Sequence, residues 1–331
     1  MSKAGMDETE RSLEYFVLDV FSETRLVGNP LAVVLNPGML TTETMQAIAR
    51  ETNLSETTFV ERREAAIEHR EGIRVRIFTT KEELPFAGHP TLGTASLLKA
   101  IAPECVVEGA ITLALKVGKV PVRFEPQSTA AAWPVKGEMT QRDPEFGETL
   151  NPAEVATLTG LDVDDFDPAL PIQVVSTGTA FAIVPLRSSE PLARLRLRQD
   201  EASAFLKAHG ARWFYVLGPE DVSASTSPSE AASAFPRWRA RMQFNGGEDP
   251  ATGSAAGCAI SHLVHYGAVD SNQTIHLRQG VEMMRPSDIF LTASRGNASE
   301  TPLRGTPEDK VTNVRVGGST ILVARGRLFQ P

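Results

Sequence analysis

The chain is predicted to be an α+β fold made of two related halves, and three observations carry that expectation. The strings His89-Pro90-Thr91-Leu92-Gly93-Thr94-Ala95 and Asp249-Pro250-Ala251-Thr252-Gly253-Ser254-Ala255 lie 160 positions apart and share one pattern. Each has a polar residue, Pro, two residues, Gly, a hydroxyl residue and Ala, and each leads into an Ala-rich helical run. Gly28-Asn29-Pro30-Leu31-Ala32-Val33-Val34 is echoed by Gly178-Thr179-Ala180-Phe181-Ala182-Ile183-Val184 at an offset of 150. Either echo alone is an ordinary turn of an α/β protein, but both together, in the same order and at nearly the same offset, read as a duplication. Finally, short β-branched apolar runs alternate with helical periodicity on both sides of the chain's midpoint.

The elements follow in order. Residues 15–21 and 31–35 are β-rich runs split by a segment that ends in the Gly28-Asn29-Pro30 turn. Thr42 opens an amphipathic helix through Met45, Ile48 and Ala49. Residues 56–60 return to strand, and residues 73–77 alternate apolar with basic, as a strand with one buried face does. Pro is tolerated at a first helical position because its missing N–H has no partner there, so His89 and Asp249 are expected as N-caps of two helices. Residues 111–117 and 120–124 continue the strands, residues 128–132 read as a surface loop, and Pro144 to Gly147 is the expected crossing between halves. The second half repeats the order, with strands at 172–175 and 181–184, a helix at 201–209, strands at 213–217 and 239–244, and the Asp249 helix. Residues 223–233, rich in Ser, read as an insertion, and residues 311–329 as two strands turned at Gly317-Gly318.

Composition narrows the function. The net charge of −8, with signs interspersed, argues against a nucleic-acid surface, which needs clustered Lys and Arg. No stretch reaches the roughly 18 apolar residues of a membrane span, and residues 1–14 are polar and acidic without the apolar core of a secretory signal. A cytoplasmic protein without membrane or nucleic-acid partners is expected. Cys105 and Cys258 have no CxxC spacing, so neither a disulfide framework nor a zinc ribbon is suggested. His262 and His265 follow Cys258 at a spacing that can bind metal, yet the helix around them is small and apolar and no carboxylate completes a set. A packed core face, with no metal, is the expectation. Neither GxxxxGK[ST] nor GxGxxG occurs, and no cofactor is implied.

Two helix starts facing each other would offer free N–H groups and positive dipole ends, a cradle for a small anion flanked by His89 and Asp249. Taken alone, His89 and Asp249 also fit plain helix caps, and Glu56 also fits a solvated carboxylate at a strand edge. The matched placement of His89 and Asp249 in the two repeats favours a role beyond capping.

Six ordered strings then resemble the phenazine-biosynthesis PhzF-like family, relatives of diaminopimelate epimerase. They are LDVFSETRLVGNPLAVVL from Leu18, NLSETTFV from Asn53, RIFTTKEELPFAGHPTLGTA from Arg76, EDPATGSAAG from Glu248, QGVEMMRPS from Gln279 and VGGSTILVARGRL from Val316. The resemblance implies two pseudo-symmetric lobes, each a mixed curled sheet around a central helix, with the last strand returning to the first lobe. With the crossing above, the N-terminal lobe would take residues 1–143 plus 312–331 and the C-terminal lobe 144–311, with the active site between them.

By the same resemblance Glu56 is the acid/base carboxylate, and His89 and Asp249 are its catalytic companions. Gly88, Gly253 and Ser254 would hold the substrate carboxylate. The activity implied is a cofactor-independent isomerase of the trans-2,3-dihydro-3-hydroxyanthranilate isomerase type, moving a proton between carbons of a small carboxylate-bearing molecule, in a homodimer. An amino-acid epimerase or cyclase, or a non-catalytic small-acid-binding protein, are the alternatives. Two departures bear on them. Two-thiol epimerases of the related fold place a cysteine at each helix start, where this chain has His89 and Asp249. The segment Arg241 to Gly247 is shorter than the family's usual one and leaves the substrate open.

Overall fold

This computed structural model describes residues 12–38, 40–125, 132–221, 235–244, 246–296 and 310–329. Its strands are β1 (Ser12–Val20), β2 (Asn29–Leu35), β3 (Glu56–Glu61), β4 (Ile73–Phe78), β5 (Glu83–Leu84), β6 (Ala110–Leu115), β7 (Gly118–Phe124), β8 (Val135–Thr140) and β9 (Glu145–Thr149). There follow β10 (Gln173–Ser176), β11 (Ala180–Pro185), β12 (Trp213–Pro219), β13 (Arg237–Arg241), β14 (Gln243–Phe244), β15 (Gly247–Glu248), β16 (Ile275–Gln279), β17 (Ser287–Arg295) and β18 (Val311–Phe329). The helices are α1 (Thr42–Thr52), α2 (Ala65–Glu71), α3 (Gly88–Ile101), α4 (Pro152–Thr159), α5 (Gln199–Ala208) and α6 (Gly253–His265). None is long and apolar enough to cross a membrane.

The sheet is mixed and closes on itself. Strands pair in the order β1-β2-β3-β4-β6-β7-β8-β18, and β18 also pairs with β1, so eight strands form a ring without a free edge. β2–β3 and β4–β6 are parallel and the other neighbours in the ring antiparallel. Helix α3 fills the ring, and residues 88–98 are all buried. A helix buried on every side rather than along one stripe belongs inside a core, and this one packs on β1, β2, β3, β6, β7, β8 and β18. Beyond β18 the same sheet runs on through β17, β16, β13, β12, β11, β10 and β9, and α6 packs against β10, β11, β17 and β18.

Three expectations need correction. Residues 311–329 are one 19-residue strand, not two strands and a turn. The Gly317-Gly318 pair lies mid-strand, where β18 passes from β17 to β8, because neighbours crowd the backbone there. A Cβ on Gly317 would meet the Gly137 carbonyl oxygen at 2.9 Å, and one on Gly318 would meet the Phe21 ring at 2.6 Å. His89 does not cap α3. The N-cap is Ala87, and His89 is the second helical residue, with Pro90 still in the first turn, where its missing N–H costs nothing. Asp249 does not cap α6 either, since the N-cap is Thr252 and the Asp249 side chain accepts from Thr252 and Asn29 instead. At the expected crossing, β8 ends at Thr140 and β9 opens at Glu145, so residues 141–144 connect the two strands. The expected loop at 128–132 falls, but for Ala132, outside the described residues, as does the insertion at 223–233.

Candidate active site

β2 and β3 run parallel with Leu31 opposite Glu56, so Asn29, which opens β2, and Glu56, which opens β3, reach the same end of the ring. The first turn of α3 rises at that end and brings Gly88 and His89 with it. From the other side the first turn of α6 arrives head-on. A Cβ on Gly88 would lie 3.2 Å from the Ser254 backbone nitrogen and 3.3 Å from the Gly253 carbonyl carbon, so only glycine lets the two helix ends approach this closely. A cleft of 420 Å³ opens there. Glu56, Gly88, His89, Asp249, Gly253 and Ser254 all line it, so the six site residues expected from the sequence come together in one place.

The geometry sets the chemistry. Glu56 Oε2 and His89 Nε2 are 3.4 Å apart. Burial, reinforced by the charge of Asp249, pushes the Glu56 carboxyl up from 4.5 to about 8. Burial pushes His89 down to about 3, against a backbone hydrogen bond at Pro30, so its ring is neutral at working pH. Asp249 is pushed up only to about 6: burial raises it, and hydrogen bonds from Thr252, Asn29 and the Ala251 backbone hold it back. Thr252 Oγ1 donates to Asp249 Oδ2 at 2.7 Å and Asn29 Nδ2 to Asp249 Oδ1 at 2.9 Å. Gly88, Gly253 and Ser254, in the first turns of α3 and α6, line this cleft, and a first helical turn, with N–H groups that lack an intrahelical partner and a positive dipole end, suits a carboxylate.

Several residues of the site escape a reading of motifs. Asn29 is fully buried, donates to Asp249 Oδ1 and to the Ala251 carbonyl at 2.8 Å, and its Nδ2 lies 3.2 Å from His89 Nδ1, so one amide touches both halves of the site. Behind Asp249, Gln279 bonds to Thr252, Tyr215 and the Asp249 backbone carbonyl. Asn29, Thr252 and Gln279 each lie in one of the six strings named above, which was the available signal; Tyr215, in an apolar strand, gives none. The outer cleft is lined by Phe86, Trp213 and Phe244, with Lys81, Glu82 and Arg212 among them.

The two cysteines lie elsewhere. Cys258 is buried on α6 beside Thr177, its thiol pushed up to about 11, and Cys105 is raised by burial too, so both are thiols rather than thiolates. His262 sits in the core with Nε2 2.8 Å from the Pro171 carbonyl, and His265 stacks on Phe146 at 4.4 Å. Among the described residues no cluster of three His, Cys, Asp or Glu is arranged for a metal ion.

A carboxyl moved to neutrality by burial, a neutral imidazole against it and a second, half-buried carboxylate, all in one cleft, are the equipment of an enzyme that moves protons. The comparisons agree with that class. The chain belongs to the family described as phenazine biosynthesis-like protein, whose sequence profile matches residues 18–326. It is 33% identical over 322 residues to trans-2,3-dihydro-3-hydroxyanthranilate isomerase of Pseudomonas aeruginosa, spanning 95% of this chain and 99% of that one. It is 34% identical to an uncharacterized isomerase of Mesorhizobium japonicum, over 95% of this chain and 98% of that one. The crystal structure of a Bacillus anthracis phenazine biosynthesis protein of the PhzF family superposes with a TM-score of 0.77 at 24% identity, over 96% of this chain and 99% of that one. The chain is an isomerase of this family.

Proposed function

We propose that the protein is a cofactor-independent isomerase that moves a proton between two carbons of a small carboxylate-bearing molecule, of the type handled by trans-2,3-dihydro-3-hydroxyanthranilate isomerase, with Glu56 as the acid/base group. The substrate carboxylate lies between the first turns of α3 and α6, on the amides of Gly88, Gly253 and Ser254 and the Ser254 hydroxyl. Glu56 then takes a proton from one carbon and returns it to another. A carboxyl titrating near 8 suits both steps, since near neutral pH its base form is accessible and its acid form still donates. His89, neutral and 3.4 Å away, steadies that carboxyl between the two transfers.

The observation that carries this reading is the burial of Glu56 against His89 at the meeting point of the two helix ends. It favours an isomerase over an epimerase of the two-thiol kind, because no thiol lines the cleft. The halves of the sheet on either side of β18 read as two pseudo-symmetric lobes, 1–143 plus 312–331 and 144–311, with α3 and α6 as their equivalent central helices. A homodimer is the assembly carried over from the family, and a cytoplasmic setting is the one the composition suggests. The deciding experiment is turnover of trans-2,3-dihydro-3-hydroxyanthranilate in deuterated water, in which the label enters the product carbon with the wild type and not with Glu56→Gln.

A further inference from the structure

Asp249 is approached from behind by a chain of polar groups whose donor directions are all determined. Gln279, fully buried on β16, accepts the Thr252 backbone N–H at its Oε1 (3.1 Å) and donates from Nε2 to the Asp249 backbone carbonyl (2.8 Å). An N–H can only donate and a carbonyl can only accept, so these two bonds fix which end of the amide is which. Everything else follows. The Tyr215 hydroxyl, 2.8 Å from Oε1, must donate to it. Nε2 donates its other proton to Thr252 Oγ1 at 3.0 Å, which leaves the single Thr252 hydroxyl proton to go to Asp249 Oδ2 at 2.7 Å. On the opposite side, Asn29 Nδ2 is fixed as a donor by the Ala251 carbonyl and so donates to Oδ1. Both Asp249 oxygens therefore accept, and each accepted bond favours the charged form of the carboxyl over the protonated one. Glu56 Oε2, by contrast, is buried with no hydrogen-bond donor.

We propose that Tyr215, Gln279 and Thr252 are positioning residues that form a one-way donor chain, holding Asp249 as the anion and thereby keeping the site's exchangeable proton on Glu56. The inference rests on the reading of Glu56 as the acid/base group and adds how its proton is kept there. A neighbouring fixed negative charge disfavours ionisation of Glu56, which is the direction its titration takes. Among the described residues, the titratable groups that act on Asp249 are Glu56 from β3, Tyr215 from β12 and Glu248 next to it in the chain, and His89 from α3 is linked to it through Asn29. Glu248 is neutralised by Arg241, with Nη2 to Oε2 at 2.6 Å. Lys81, Glu82 and Arg212 line the outer cleft.

The test is titration of the free protein, labelled with ¹³C at the Asp and Glu carboxyl carbons, with the two signals assigned by their loss in Asp249→Asn and Glu56→Gln. Thr252 makes no side-chain cap bond to α6, so Thr252→Val removes the hydroxyl at constant size without uncapping the helix. The Asp249 midpoint should rise by about one pH unit, as expected for a lost charge-assisted hydrogen bond, while the Glu56 midpoint falls. Thr252→Ser should restore both. Gln279→Met, which frees the Thr252 hydroxyl to turn away, should move Asp249 in the same direction and serves if Thr252→Val does not fold. An Asp249 midpoint unchanged in whichever of these variants folds overturns the proposal. The readout needs no turnover, so a Glu56→Gln protein with normal activity would instead remove the functional reading itself.

Discussion

Glu56 Oε2 and His89 Nε2 face each other at 3.4 Å, and neither atom has a hydrogen-bond partner among the described residues. Buried polar atoms are almost always satisfied, so an unsatisfied pair at the floor of a cleft is a place held ready for something else to bond. In the proposed reaction that something is the proton in transit and the substrate that carries it.

Glu56→Gln keeps the shape and hydrogen-bonding capacity of the side chain and removes the base. Turnover should fall by about 10²–10⁴-fold, the usual contribution of general acid–base catalysis, while ligand binding persists. Steady-state kinetics beside calorimetric binding separate the two quantities, and equal losses in both would argue that Glu56 only shapes the cleft.

The same residue should leave a mark on stability. Glu56 titrates at about 8 in the fold against an ordinary value of 4.5, so the folded state holds a proton that the unfolded chain has lost. Stability must then fall as pH rises toward 8 and level off above it. By pH 7 the buried His89 is neutral and Asp249 is already ionised, which leaves Glu56 as the main contributor between pH 7 and 8.5. Urea unfolding should show a loss of about 1 kcal/mol over that window in the wild type and little in Glu56→Gln. Parallel slopes in the two proteins would mean that Glu56 ionises as freely in the fold as outside it.

Crystals grown at high sulfate should hold an anion between Gly88 and Gly253-Ser254. Gly88→Ala places a methyl 3.2 Å from the Ser254 nitrogen and 3.2 Å from Met139 Cε, so the helix ends must part. Competition by sulfate against substrate should weaken about tenfold, as for the loss of one charge-assisted hydrogen bond. Undiminished sulfate competition would place the anion elsewhere.

Neither thiol is placed for chemistry. The double variant Cys105→Ala with Cys258→Ser should turn over within about threefold of the wild type, with a stability cost of roughly 1–3 kcal/mol for two buried sites. Abolished turnover in a folded double variant would revive the epimerase alternative.

Local pattern alone told a good deal about this chain. The alternation across residues 73–77, the amphipathic run from Thr42 and the turn at Gly28-Asn29-Pro30 mark β4, α1 and the approach to β2 within two residues, because side-chain periodicity and turn chemistry are properties of neighbours in sequence. The echo of His89-Pro90 by Asp249-Pro250 located both helix ends to within four residues. Motif resemblance added Glu56, which no periodicity marks.

Tertiary structure decided what depends on neighbours in space. Whether His89 and Asp249 cap their helices was settled by competing partners: Asn29 lies 60 residues from one and 220 from the other and reaches both. Gly317-Gly318 looked like a turn because glycines usually make turns, but the Gly137 carbonyl and the Phe21 ring require a bare backbone there inside a continuous strand. The same holds for the acidity of Glu56. A carboxyl's pKa is set by the water and charge around it, and those were fixed only when β3, α3 and the segment before α6 closed over one another.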